Sequence, residues 1–167
     1  MPEMPTEEDG RKSLKDHIVS RALEAREVYG PHLDMPRFRE LLEDRRFVRY
    51  PVELQFEAQG LQPGEFAIAI QRGDHPREGF TLKIHPMFQD ESKLVPLLAA
   101  YHLITVNYGE IATNEEAELL GATLTGMDPE AYYAVLCQAS DRCGGAPNDE
   151  TSSCHGEIED TVRSKTR

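Results

Sequence analysis

Basic residues are missing from a long central part of this chain. Between Leu94 and Asp141 there is no Lys or Arg, against seven acids: Glu110, Glu115, Glu116, Glu118, Asp128, Glu130 and Asp141. The whole chain carries a net charge of −12. Phosphate repels such a surface, which argues against nonspecific binding to DNA, RNA or an anionic membrane. No apolar run reaches the about 20 residues that a transmembrane helix needs. A secretory signal is not visible either, because Met1 to Lys12 is polar and acidic. Cysteine is scarce: Cys137, Cys143 and Cys154 make an odd count with no CxxC pair. Their spacing does not fit a zinc ribbon, and a reducing cytoplasm is the expected compartment. There is no glycine-rich phosphate loop, GxSxG elbow or HExxH helix. No internal repeat is present.

What the chain does have is one apolar stretch around which the rest can be placed, LVPLLAAYHLITVNYG, Leu94 to Gly109. It exceeds a typical strand and reads as a buried helix. Pro96 suits the first turn, where its missing N–H is no loss, and Asp90 and Ser92 stand upstream as candidate caps. Apolar residues lie nearly all round this helix, so it must be covered on several sides. Gly109 suits the stop.

The chain in order predicts an α+β domain. Residues Met1 to Lys12 read as a disordered tail. A helix follows from about Ser13 to Tyr29, with Ser13 and Asp16 as a capping box. A second runs from Asp34 to about Asp44, with Pro36 in its first turn. Val52, Leu54 and Phe56 alternate with polar residues and read as a strand. Phe66, Ile68 and Ile70 alternate with alanines as a second, and Phe80, Leu82 and Ile84 form a third. Their short spacing predicts a small antiparallel sheet of about three strands with one covered face, packed against the central helix. Thr113-Asn114-Glu115-Glu116 is a capping box that opens another helix, closed by Gly126. Asp128-Pro129 opens the last. One globular domain over residues 13–139 results, with 140–167 as a polar, disordered tail.

His102 is the one imidazole inside the apolar run. It reads either as a core histidine or as a ligand or acid–base group. Tyr101, Asn107 and Tyr108 stand where they would line a pocket beside it. A strand ending in His85-Pro86, then LLAAYHLITVNYG, NEEAELLGATLTGM and DPEAYYAVL, resembles the core of the zincin-like metallopeptidases. In that family an edge strand precedes a helix bearing HExxH, and a further helix bears a glutamate ligand. The resemblance spans Val52 to Leu136. If His102 stands for the first histidine, Leu103 replaces the general-base glutamate and Val106 the second histidine. Glu115, Glu116 or Glu118 stands where the glutamate ligand belongs. The resemblance therefore implies a zincin-like fold and argues against the peptidase activity.

Two functional expectations follow. The first is a non-catalytic cytoplasmic domain that needs no cofactor. It would work by protein interaction, its acidic C-terminal helices meeting a basic partner. It would bind neither nucleic acid nor membrane. The second is a metal-dependent hydrolase in which His85, His102 and Glu116 hold a divalent metal such as zinc. Oligomeric state is not written in these residues.

Overall fold

The computed structural model describes residues 4–30 and 32–144. The expected tail from residue 145 onward, with Cys154 and His155, lies outside the described residues, as do residues 1–3. Five helices and three strands make an α+β fold: α1 (Glu7–Tyr29), α2 (Met35–Glu43), β1 (Val52–Phe56), β2 (Ala67–Gln71), β3 (Phe80–Ile84), α3 (Val95–Tyr108), α4 (Asn114–Thr125) and α5 (Pro129–Gly144).

Helix α3 is the centre. Val95, Leu98, Ala99, Leu103, Ile104 and Val106 are all buried. They are covered by β2 and β3 on one side and by α2, α4 and α5 on the others. Its N-cap is Leu94, which offers no side-chain bond. Asp90 and Ser92 are not its caps. The chain instead winds in through backbone bonds, Leu94 N–H and Val95 N–H both donating to the Glu91 carbonyl at 3.0 Å. Gly109 ends the helix at φ 63°, a backbone region that glycine enters freely.

The sheet is mixed, which corrects the expected antiparallel meander. Its strand order is β1-β3-β2. β2 and β3 form an antiparallel pair joined through the loop 72–79, where Arg72 N–H donates to the Gly79 carbonyl at 2.8 Å. β1 lies parallel to β3, because the connection 57–66 carries the chain past the end of β3 rather than turning back beside β1. Alternation identified β2 as a strand but not its inner side. Ala67 pairs with Ile84 and Ala69 with Leu82, both fully buried, so the alanines face the helices. Ile68 and Ile70 share the other face with Lys83 and Thr81, and Ile70 is 39% exposed. Small residues on the inner side let α3 lie close against β2.

Helix α1 begins six positions before Ser13, within the stretch expected to be disordered. Thr6 and Asp9, not Ser13 and Asp16, form the capping box: Asp9 N–H donates to Thr6 Oγ1 at 3.0 Å, and Thr6 N–H to Asp9 Oδ2 at 2.9 Å. Glu7, Glu8 and Asp9 crowd the first turn. Their acidity, read in sequence as a disorder signal, there complements the positive end of the helix dipole. α1 runs alongside α4 in the same direction, Arg11 bonding Glu116 near the start of α4 and Arg26 lying against Gly126 at its end. α5 continues past Ala139 to Gly144. No helix among the described residues is long and apolar enough to cross a membrane.

Tyr132 of α5 locks the last two helices onto α3. It is fully buried, and its hydroxyl donates to the Leu97 carbonyl at 2.7 Å. The ring fits only because position 121 of α4 is glycine; a Cβ there would fall on the Tyr132 phenol. Gly121→Ala is expected to cost about 1–3 kcal/mol through overpacking. Tyr132→Phe, which removes one hydrogen bond and the hydroxyl oxygen nearest Gly121, should cost about 1 kcal/mol. Urea unfolding of the two variants checks both. Gly121→Ala at least as stable as wild type would show that the contact is loose.

Candidate functional site

His102 sits in the middle of α3 with its ring against Phe66 at 5.6 Å and Tyr101 at 5.1 Å, both edge to face. Its Nε2 is buried and has no hydrogen-bond partner among the described residues. Burial drives its pKa down to about 4, so the imidazole is neutral. Tyr101 packs on Phe66 at 6.4 Å, and burial followed by the Glu118 charge raises its phenol well above the ordinary value. Tyr101 and His102 are thus parts of one aromatic cluster beneath β2.

His85 follows β3 and caps the turn Pro86–Phe88, its Nδ1 accepting from Met87 N–H at 3.2 Å. Its backbone N–H donates to the Phe66 carbonyl at 2.8 Å, so both histidines flank Phe66. Glu116 belongs elsewhere. It is 0% exposed at the third position of α4. There its Oε1 accepts from Arg11 at 2.6 Å and from Thr113 N–H at 2.8 Å. Burial pushes the Glu116 carboxyl up, but Arg11 and Thr113 more than offset this and hold it below its ordinary value. Among the described residues no group of three or more His, Cys, Asp or Glu is placed to hold a metal ion. The structure does not gather His85, His102 and Glu116 into one such group: Glu116 Oε1 serves the helix cap and the Arg11 pair, and its Oε2 is buried without a hydrogen-bond partner among the described residues. Leu103 and Val106, which stand where the resemblance wants base and second histidine, are buried core residues.

Asn107 and Tyr108 do line a cleft, and Tyr101 does not. The cleft holds about 240 Å³ at the C-terminal end of α3, between α1 and the loop that follows α2. Three arginines of that loop wall it, Arg45, Arg46 and Arg49. The loop that carries them is braced. Asn107 Nδ2 donates to the Phe47 carbonyl at 2.7 Å, and Asn107 Oδ1 accepts from Arg49 N–H at 2.8 Å. Asp44, at the end of α2, accepts from Tyr29 Oη at 2.7 Å and from two nitrogens of Arg46 at 3.0 and 2.7 Å. The Arg46 bonds hold the Asp44 carboxyl well below the usual carboxylate range.

The fourth arginine comes from α1. Arg21 bonds the Arg46 carbonyl and pairs with Glu24 at 2.6 Å. Arg21 and Arg46 both stack on the Phe47 ring, at 5.2 and 5.0 Å. His17, one turn before Arg21, meets Tyr108 edge to face at 5.8 Å. Arg45 donates to the Leu42 and Val48 carbonyls at 2.9 and 3.3 Å, while Arg49 lies over Tyr50 at 5.4 Å. Neither makes an ion pair with a carboxylate among the described residues. Arg37 and Arg39, which belong to the same run in sequence, sit on α2 and do not line the cleft. His17 and Arg21 could have been found only from their i, i+4 spacing on one face of α1.

The acids of the C-terminal half divide into two groups. Glu115 and Glu116 are held by Lys15, at 3.1 Å, and Arg11 of α1. Glu110, Glu118, Glu130 and Asp141 form no ion pair among the described residues. Burial, and then the Glu115 charge, raises the Glu118 carboxyl. Against known proteins the chain stands alone: no family model, no curated protein and no solved structure matches it.

The buried His102 makes stability depend on pH. In the fold it stays neutral down to about pH 4, whereas the ordinary value is 6.5. Between those values the unfolded chain holds more protons, so this contribution is full above pH 6.5 and is lost as pH falls toward 4. His102→Phe should flatten that part of the curve, so that wild type loses more stability than the variant as pH falls from 6.5 to about 5. Urea unfolding across this range checks it. Glu116 and Asp44 act in a lower window, because their depressed values place their losses below the ordinary carboxylate values of 4.5 and 3.8. An unchanged curve in His102→Phe would mean that His102 is hydrated in solution.

Proposed function

We propose that the chain is a non-catalytic protein-interaction domain that meets a basic partner with the acids of α4, α5 and the turn before α4. The observation that carries this reading is the unneutralised charge there. Between Leu94 and Asp141 the chain has no Lys or Arg, and α1 supplies cations to Glu115 and Glu116 alone. Glu110, Glu130 and Asp141 are exposed, and Glu118 is half-buried beside them in sequence. Charges left unpaired on a surface steer an oppositely charged partner and set its orientation more than they add affinity.

Glu115 and Glu116 are the wrong positions at which to test this, because reversing them would break contacts between α1 and α4. The triple change Glu110→Lys, Glu118→Lys and Glu130→Lys is the better probe, with folding followed by circular dichroism. A lysine-rich peptide titrated against wild type should bind in a salt-sensitive way, and the triple variant should bind it at least about tenfold more weakly. A folded triple variant that binds the peptide as well as wild type, and captures the same proteins from a lysate, would end this reading.

A further inference from the structure

The arginine-walled cleft has no part in that reading, yet it is the most concentrated positive charge in a chain of net charge −12. We infer that it is a binding site for a phosphate-bearing small molecule, which Arg45 and Arg49 hold while Arg21 and Arg46 flank it.

Three observations point the same way. First, four arginines from two separate segments, α1 and the loop after α2, line one cleft. Arginines left to minimise their own repulsion would separate. Second, two of them have their charge answered inside the protein, Arg21 by Glu24 and Arg46 by Asp44, and two do not. A phosphate group carries about −1.5 to −2 at neutral pH, which matches two uncompensated arginines; a single carboxylate does not. Guanidinium also presents paired N–H groups at the spacing of phosphate oxygens. Third, the walls are already in place. The loop is fixed by both ends of the Asn107 amide, and the Arg21 and Arg46 guanidiniums both lie over the Phe47 ring. A ligand therefore orders little on arrival, which favours binding.

The size fits a small molecule. A cleft of about 240 Å³ has room for a phosphate or two and the start of what carries them. The net charge of −12 opposes a long polyanion. One opposing account exists on the same geometry. The carbonyl end of α3 also lies here, and arginines near a helix C-terminus are favourable without any ligand.

Calorimetric titration of the full chain with inorganic phosphate and with pyrophosphate, at low ionic strength, separates these accounts. Saturable binding is expected, tighter for pyrophosphate and weakened by added salt. Arg49→Ala should weaken pyrophosphate binding by about tenfold or more, since it removes a charge-assisted bond. Its melting temperature should not change, because the Arg49 side chain only overlies Tyr50. Lys93→Ala, an exposed position before the N-terminus of α3 and so at the opposite end of that helix from the cleft, should bind as wild type does. Absence of saturable binding to either probe would overturn the inference and leave the arginines as caps of α3. Equal affinity in Arg49→Ala and Lys93→Ala would overturn it too, and so would tighter binding of a single-stranded oligonucleotide than of pyrophosphate.

Discussion

The architecture depends on one requirement: α3 is apolar on nearly every side, and a helix of that kind is stable only when every side is covered. No single neighbour can do this. The sheet covers one side and α2, α4 and α5 cover the others, which places the helix in the middle of a fold whose other elements would have little reason to meet. Details elsewhere follow from it. β2 turns alanines inward so that the helix can approach. Gly121 leaves room for the Tyr132 ring, and Tyr132 in turn donates to a carbonyl of α3 itself. The cost of covering α3 is visible at His102, whose Nε2 is enclosed without a partner among the described residues. That imidazole tolerates burial by staying neutral.

Charge is arranged around this core in two opposite ways. α1 lends Arg11 and Lys15 to the acids at the start of α4, and so ties the N-terminal helix to the C-terminal half of the chain. The Arg11–Glu116 pair is more than a surface contact, because Glu116 also closes the capping box of α4 and is fully buried. Farther along α1, Arg21 joins the arginines of the loop after α2 and builds a positive cleft. Beyond these, the acids of α4 and α5 are left to solvent. A chain of high net negative charge thus has its surface sorted by sign, and the sorting is done largely by one helix.

Much of the fold was legible because its signals are local. Apolar periodicity found α2, α3, α4 and α5. Alternation found all three strands, and the Thr113–Glu116 box and Asp128-Pro129 marked two helix starts correctly. The failures have local causes too. The start of α1 was missed because Glu7, Glu8 and Asp9 have the composition of a disordered tail, although a helix N-terminus favours the same residues. The sheet order was missed because strand pairing is decided by how the 57–66 connection travels, and nothing in its ten residues encodes that path.

The candidate site shows the division most clearly. By itself the sequence determined which stretches become helix or strand, that α3 must be central, and that the arginines before β1 and the acids after α3 lie apart along the chain. Periodicity and capping are properties of neighbours within one or two turns, so they are readable there. Tertiary structure alone decided who meets whom. It sent Glu116 to Arg11 rather than to His102, and it brought His17 and Arg21 to Arg45, Arg46 and Arg49. It also moved the pocket from Tyr101 to the other end of α3. Those contacts join residues far apart in the chain, and the physical reason they form is the burial of α3, a constraint on the whole molecule that no single segment carries.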